Sequence, residues 1–458
     1  MIEPLESRIA PAFAASVDIS QLDGSDGFKV SRPTPANPDG FGGAVTGVGD
    51  INNDGVDDFA ISASLDGPGK VYVVYGVGEG FPADFNVANL DGNGFVIAGV
   101  NPGDFLGVRI APAGDFNGDT FDDFLIGAPG VDSPQGGVQD IGAAYLVLGA
   151  ASGFNVVTFL GASGNDRAGA AVAGAGDLNN DGFDDLLIGA PNAGAGVGAA
   201  YVVFGKAALT GGTFTLASLN GTNGFRLSGE LDHTDTGADV AGIGDFNSDG
   251  FDDIVVGSKV ALPKPGSASY VVFGGATSAA DRPLGTLDGT TGFKINGGVF
   301  PGRGQHLAGA GDINDDGFDD LLLTSAIRKG PKIAAAAFAI FGHAAPFSAV
   351  FGLGELDGTN GFRVDFGKFK QLSFSSVAPA GDVNADGIAD FMVGSAGFRG
   401  QPVEGQDADN GTSYVIFGHV GEFAPIFDAA VLTSAAASRS KTTPRPPSSS
   451  LPSDPPAM

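Results

Sequence analysis

The nine-residue stretch 50-DINNDGVDD-58 recurs six times, and that recurrence limits what the chain can fold into more than any other feature. The other copies are 115-DFNGDTFDD-123, 177-DLNNDGFDD-185, 245-DFNSDGFDD-253, 312-DINDDGFDD-320 and 382-DVNADGIAD-390, and their starts are 65, 62, 68, 67 and 70 residues apart. A period of that size marks a repeat architecture, in which each unit buries its apolar face only against its neighbours. Three other segments keep phase with the acidic one. A small-residue run precedes it (169-GAAVAGAG-176), an apolar run follows it (186-LLIGAP-191), and an aromatic strand ending in glycine comes next (200-AYVVFG-205). A turn and short strand complete the unit, as in 219-LNGTNGFRLSG-229, decaying in the second repeat to 154-FNVVTFLG-161. All four are short, rich in β-branched or aromatic residues and bounded by Gly, Asn and Asp, so they read as strands.

Four strands per repeat is the pattern of a β-propeller blade. The predicted fold is all-β, a propeller of six four-stranded blades over residues 21–425. The sixth repeat has no clear fourth strand, whereas 22-LDGSDGFKV-30 stands alone before the first repeat. This N-terminal strand is expected to complete the last blade and close the ring, which removes two exposed sheet edges. Residues 1–20 read as a poorly ordered leader. The Ser- and Pro-rich segment 426–458 is too poor in aliphatic periodicity to offset chain entropy and is expected to be disordered.

Like charges packed as tightly as in the acidic segment repel unless a cation sits among them. Oxygen donors on alternate residues around a Gly suit calcium, which takes six to eight oxygens. The candidate ligands at positions 1, 3, 5, 7 and 9 are Asp50, Asn52, Asp54, Val56 and Asp58; Asp115, Asn117, Asp119, Phe121 and Asp123; Asp177, Asn179, Asp181, Phe183 and Asp185; Asp245, Asn247, Asp249, Phe251 and Asp253; Asp312, Asn314, Asp316, Phe318 and Asp320; and Asp382, Asn384, Asp386, Ile388 and Asp390. Position 7 varies, as expected if only its backbone carbonyl binds. Asp57, at position 8, is expected to face water. Thr120 stands where the other loops have Gly, so the second loop is expected to be strained or weaker. An EF-hand requires a bidentate Glu at position 12. Here that position is Ile61, Ile126, Ile188, Val256, Leu323 and Val393, apolar residues of the next strand. A plain Asx-rich hairpin turn is the bland alternative, but a turn does not need four liganding positions in register six times. About six structural Ca²⁺ ions are expected. The first four loops hold four acids each, the fifth five and the sixth three.

The chain carries 53 acids against 23 bases, a net charge of −30, which opposes nucleic-acid binding through phosphate repulsion. It has no cysteine, excluding disulfides and thiol chemistry. No apolar run approaches the roughly 20 residues of a membrane-spanning helix, and the N-terminus is not a standard secretory signal. No nucleophile-elbow, phosphate-loop or zinc-protease motif appears. Of His233, His306, His343 and His419, the last two follow Phe-Gly at equivalent strand ends and read as positional. The chain is therefore expected not to be an enzyme.

The small-residue strand, the D-x-N-x-D-G-x-x-D loop and the apolar strand ending 126-IGAP-129 or 188-IGAP-191 together resemble the FG-GAP repeat, found in the integrin α-subunit N-terminal β-propeller and its bacterial stand-alone relatives. The resemblance implies calcium in the loops on one face and ligand recognition on the other. It also departs from this chain, since integrin propellers have seven blades and six are counted here. By the family's geometry the second face would carry Arg32, Lys70, Arg167, Lys259, Lys264, Arg303, Arg328, Lys329, Lys332, Lys368, Lys370 and Arg399. The resemblance thus implies binding of a protein or glycan; calcium sites of this kind suit a secreted or cell-surface protein, and the chain is expected to be monomeric. The alternatives are the propeller scaffold of a hydrolase and a structural envelope component without a specific ligand.

Overall fold

The computed structural model describes residues 22–428 apart from 25–26, 33–38, 79, 135, 208, 232, 261–266, 277–278, 297–305, 330–331, 367–374 and 396–411. The expected leader and nearly all of the expected tail lie outside the described residues. The architecture is a β-propeller of six blades. Blade 1 is built of Phe41–Gly49, Asp58–Ala63, Lys70–Val74 and Gly94–Ala98. Blade 2 follows with Ile110–Gly114, Asp123–Ala128, Ala143–Leu148 and Asn155–Leu160, and blade 3 with Ala171–Gly176, Asp185–Ala190, Ala199–Val203 and Gly224–Ser228. Blade 4 uses Val240–Gly244, Asp253–Val260, Ser267–Val272 and Gly292–Asn296; blade 5 uses Leu307–Gly311, Asp320–Lys329, Lys332–Ile340 and Gly361–Asp365. Blade 6 has Ser375–Gly381, Asp390–Ser395 and Thr412–Ile416.

Blades 2 to 5 are packed on both faces, so their second strands carry near-continuous apolar runs. Every residue of Asp123–Ala128 and of Asp185–Ala190 is buried. The position-12 residues are core, from Ile126, Ile188, Val256, Leu323 and Val393 at 0% exposure to Ile61 at 5%, which rules out the EF-hand reading. Separate apolar clusters fill the five junctions from blade 1/2 to blade 5/6. The small residues of the first strands let neighbouring blades approach at the ring's centre.

A fifth, parallel strand was not legible in the sequence. After the third strand of blade 3, Gly212–Thr215 returns to pair with the fourth strand of blade 2. Asp281–Pro283, Val350–Gly352 and Ile426–Asp428 do the same to the fourth strands of blades 3, 4 and 5. Described sheet therefore runs past residue 425, because blade 5 needs Ile426–Asp428 at its edge.

The N-terminal strand follows this rule too. Lys29–Ser31 pairs in parallel with Asp84–Asn86, the relation the fourth strands of blades 2 to 5 have to the following blade. Phe28 stacks on Phe81 at 4.0 Å and, with Val30, joins the cluster on the outer side of blade 1. No ladder joins Lys29–Ser31 to Thr412–Ile416 among the described residues, and blade 6 is a three-stranded sheet. Its far side is correspondingly open. Met392 is 42% and Val415 45% exposed, while their equivalents Leu125, Leu187 and Val255, and Leu146, Val202 and Val271, are at 0%. In blades 3, 4 and 5 the third-strand aromatic faces the basic residue of the fourth strand: Tyr201 opposite Arg226, Tyr270 opposite Lys294, Phe338 opposite Arg363. The same register would set Tyr414 opposite Lys29 and Ser413 opposite Val30. In this cysteine-free chain, a Val30→Cys/Ser413→Cys pair is expected to form a disulfide within one molecule on mild oxidation, read by mass and non-reducing electrophoresis. A linked dimer, or no bond at all, would mean the strand does not complete the last blade.

Candidate metal centre

All six acidic segments join the first and second strands of their blades, at one end of the propeller. The loop bends through left-handed residues at position 4 (Asn53, Asn180, Ser248, Asp315 and Ala385, φ 56–59°) and at position 6 (Gly55, Gly182, Gly250, Gly317 and Gly387, φ 88–90°). In the second loop Gly118 takes the first bend, and Thr120 is forced to φ 73° at the second, a strained conformation for a β-branched residue.

Position 1 organises the bend. Asp50 accepts the Asp54 N–H through Oδ1 at 3.0 Å and the Gly55 N–H through Oδ2 at 2.7 Å. Asp115, Asp177, Asp245, Asp312 and Asp382 make the same pair of bonds. Position 5 accepts the position-7 N–H at 3.0–3.1 Å in every loop. Asn52, Asn117, Asn314 and Asn384 accept the position-5 N–H through Oδ1, whereas the buried Oδ1 of Asn179 has no partner.

Position 9 is a buried peg. Asp58 takes the Gly76 N–H on Oδ1 and the Ile51 N–H on Oδ2. Asp123, Asp185, Asp253, Asp320 and Asp390 likewise tie the loop to the Gly that ends the third strand, at 2.8–2.9 Å. Burial pushes the Asp58 carboxyl up to about 6 and those of Asp123, Asp185, Asp253 and Asp320 up to about 8. The carboxylates at positions 5 and 1 add to the rise, and the two backbone donors oppose it. Among the described residues no three His, Cys, Asp or Glu groups converge into a ready coordination sphere. What the loops do bring together is an all-oxygen donor set, an orphaned buried amide oxygen and buried carboxyls raised partly by mutual repulsion. That set fits a hard cation and suits no soft one.

Position 8 does something the sequence reading missed. Asp122 Oδ2 accepts the N–H of Asp50 in the preceding blade at 2.8 Å. Asp184 does so to Asp115, Asp252 to Asp177 and Asp319 to Asp245, at 2.8–3.0 Å. Gly49, Gly114, Gly176 and Gly244 (φ 63–77°) precede these N–H groups, and any Cβ there would run into the latching carboxylate. The signal was present, since position 8 is Asp in five loops, but a local pattern does not say which N–H each carboxylate will meet. Ala389 breaks the series, and nothing lies within 4 Å of where a Cβ of Gly381 would be. Asp57 is exposed, in line with the expectation for that residue alone. Asp252→Ala should remove a charge-assisted inter-blade bond and lower stability by about 1–3 kcal/mol, measured by denaturant unfolding; an unchanged midpoint would refute the latch.

At the other end of the propeller, the basic residues fare differently from expectation. Arg32 is not a free surface cation. Its guanidinium pairs with Asp39 and Asp66, donates to the Tyr72 hydroxyl at 2.9 Å and packs over Phe41 and Tyr72. Lys70 pairs with Asp66 at 2.9 Å. Arg167 is exposed. Arg328, Lys329 and Lys332 stand at the tip of the long second–third hairpin of blade 5. Lys264, Arg303, Lys368, Lys370 and Arg399 lie outside the described residues. His343 and His419 stack on Phe347 and Phe423 at 4.0 and 3.9 Å, at equivalent places in successive blades, so their positional reading holds.

The family model for the FG-GAP repeat matches residues 107–147 and 168–203, which hold the second and third loops and their flanking strands. The chain carries FG-GAP repeats. It is similar to integrin alpha-V of Gallus gallus, 30% identical over 233 residues, covering 48% of this chain and 20% of that protein. Integrin alpha-IIb of Mus musculus is 30% identical over 240 residues, with 49% and 20% covered, and integrin alpha-PS2 of Drosophila melanogaster 30% over 203 residues, with 42% and 14% covered. The FG-GAP chain thus spans about a fifth of the length of the first of these curated relatives. Among its described residues no helix is long and apolar enough to cross a membrane.

Proposed function

We propose that this FG-GAP propeller is a calcium-stabilised recognition module, working outside the cell or at its surface, that binds a protein or glycan on the face opposite the acidic loops. The observation that carries the calcium reading is the six-fold repetition of one oxygen-rich loop. Side chains at positions 1, 3, 5 and 9 and the position-7 carbonyl would hold each ion, which would supply the positive charge that the clustered carboxylates lack. Similarity to integrin α-subunits supports the recognition role, and the absence of a catalytic motif in the sequence favours it over an enzyme scaffold. The hairpin tip of blade 5, with three bases in 327-IRKGPK-332, is the favoured contact for an acidic partner.

Elemental analysis of the purified chain should give about six Ca²⁺ per molecule, and chelation should lower Tm sharply, because an ion bound only by the folded form stabilises it. The drop should be larger at pH 8 than at pH 5.5, since the buried position-9 carboxyls must shed protons to bind the ion. Chelator-insensitive melting would sink the calcium reading. For the ligand, a screen of extracellular proteins and immobilised glycans is expected to show saturable binding that weakens at least tenfold in an Arg328→Ala/Lys329→Ala variant. Binding indifferent to that pair would remove the hairpin from the site.

A further inference from the structure

At the rim of blade 3, at the end away from the acidic loops, lies a cavity of about 460 Å³, within the range of small-molecule sites. It sits where the connection from blade 2 passes over. Leu216 and Ala193 give it apolar walls, and Asp166, Tyr201, Arg226 and Asp281 line the rest. Asp166 and Tyr201 are 4% and 2% exposed, so their polar groups are built into the wall rather than left in solvent. Asp166 is fixed by accepting the Ser163 N–H on Oδ2 at 2.8 Å. Arg226 stands opposite both Tyr201 and Asp281 in the sheet register. Its positive charge acts on the Tyr201 hydroxyl and on the Asp166 carboxyl, favouring the ionised form of each against their burial. Its Nε is nevertheless buried without a partner. The other end of the guanidinium reaches the cavity wall, with Nη2 3.9 Å from where a Cβ of the lining residue Gly194 would sit.

The charges in the wall restrict what that acceptor belongs to. Arg226 lies among two carboxylates, so an anionic ligand would meet Asp166 and Asp281, and a cationic one would meet the guanidinium. A neutral ligand escapes both penalties if it offers an acceptor to the guanidinium, donors to the carboxylates and an apolar face to Leu216 and Ala193. Vicinal hydroxyls on a ring of C–H groups have that chemistry. We propose that this cavity binds an uncharged glycosyl unit, with Arg226 and Asp166 reading its hydroxyls. The site is separate from the blade 5 hairpin, and does not depend on that hairpin binding anything.

The test is saturation-transfer NMR and calorimetry on the full calcium-loaded chain with a panel of neutral mono- and disaccharides. A uronic acid, an amino sugar and free arginine serve as charged controls. Saturable binding of at least one neutral sugar is expected, with the charged controls weaker. Arg226→Met should weaken it at least tenfold, and Ala162→Phe, which fills the cavity from its rim, should abolish it. Both variants should keep the parent Tm, and the Arg328→Ala/Lys329→Ala variant should bind the sugar normally. The proposal is overturned if no neutral sugar saturates, if a charged control binds best, or if both cavity variants bind as the parent does. Loss of sugar binding in the hairpin variant would also overturn it, by moving the site to blade 5.

Discussion

The propeller depends on carboxylates that accept backbone N–H groups at the ends of its first strands. A sheet stacked on a sheet has no directional preference from apolar packing alone, since the hydrophobic effect is proportional to area and indifferent to register. The acidic loops supply the direction. Position 1 closes the loop on itself, position 9 ties it to the third strand of its own blade, and position 8 reaches the position-1 N–H of the blade before. One nine-residue segment therefore sets the bend, the blade and the angle between blades. A cation in the same loop would hold these carboxylates in their charged form, and so secure all three at once.

Blade 6 shows what happens where the device is missing. Ala389 cannot latch blade 5, and no described residue stands against Gly381 on the other side. The blade is three-stranded, with Met392 and Val415 exposed where other blades bury their counterparts. These features converge on the seam between the last blade and the first, where the N-terminal strand is already seated on blade 1 and its other edge is unpaired among the described residues.

The two ends of the molecule differ in character. The loop end is acidic, repeated and built for stability. The other end is irregular, and its individuality lies in particular blades: the long basic hairpin of blade 5 and the polar cavity of blade 3. Arg32 illustrates why charge counting alone misleads here. It is one of few bases in a chain of net charge −30, yet Asp39, Asp66 and Tyr72 consume it internally.

Much of this was legible in the sequence because the chain repeats itself. Six copies of one loop in phase with three strands determined the fold class, the blade number and the candidate calcium ligands, and Ile61 and its equivalents excluded an EF-hand. A local pattern suffices for these because strand period, turn chemistry and ligand spacing are set within a few residues. The parallel fifth strands, the latch at position 8, the burial of Arg32 and the orphaned Nε of Arg226 were decided only by tertiary structure. Each joins groups some 50 to 70 residues apart or on neighbouring blades, and no local pattern states which carboxylate will face which N–H until the blades are stacked.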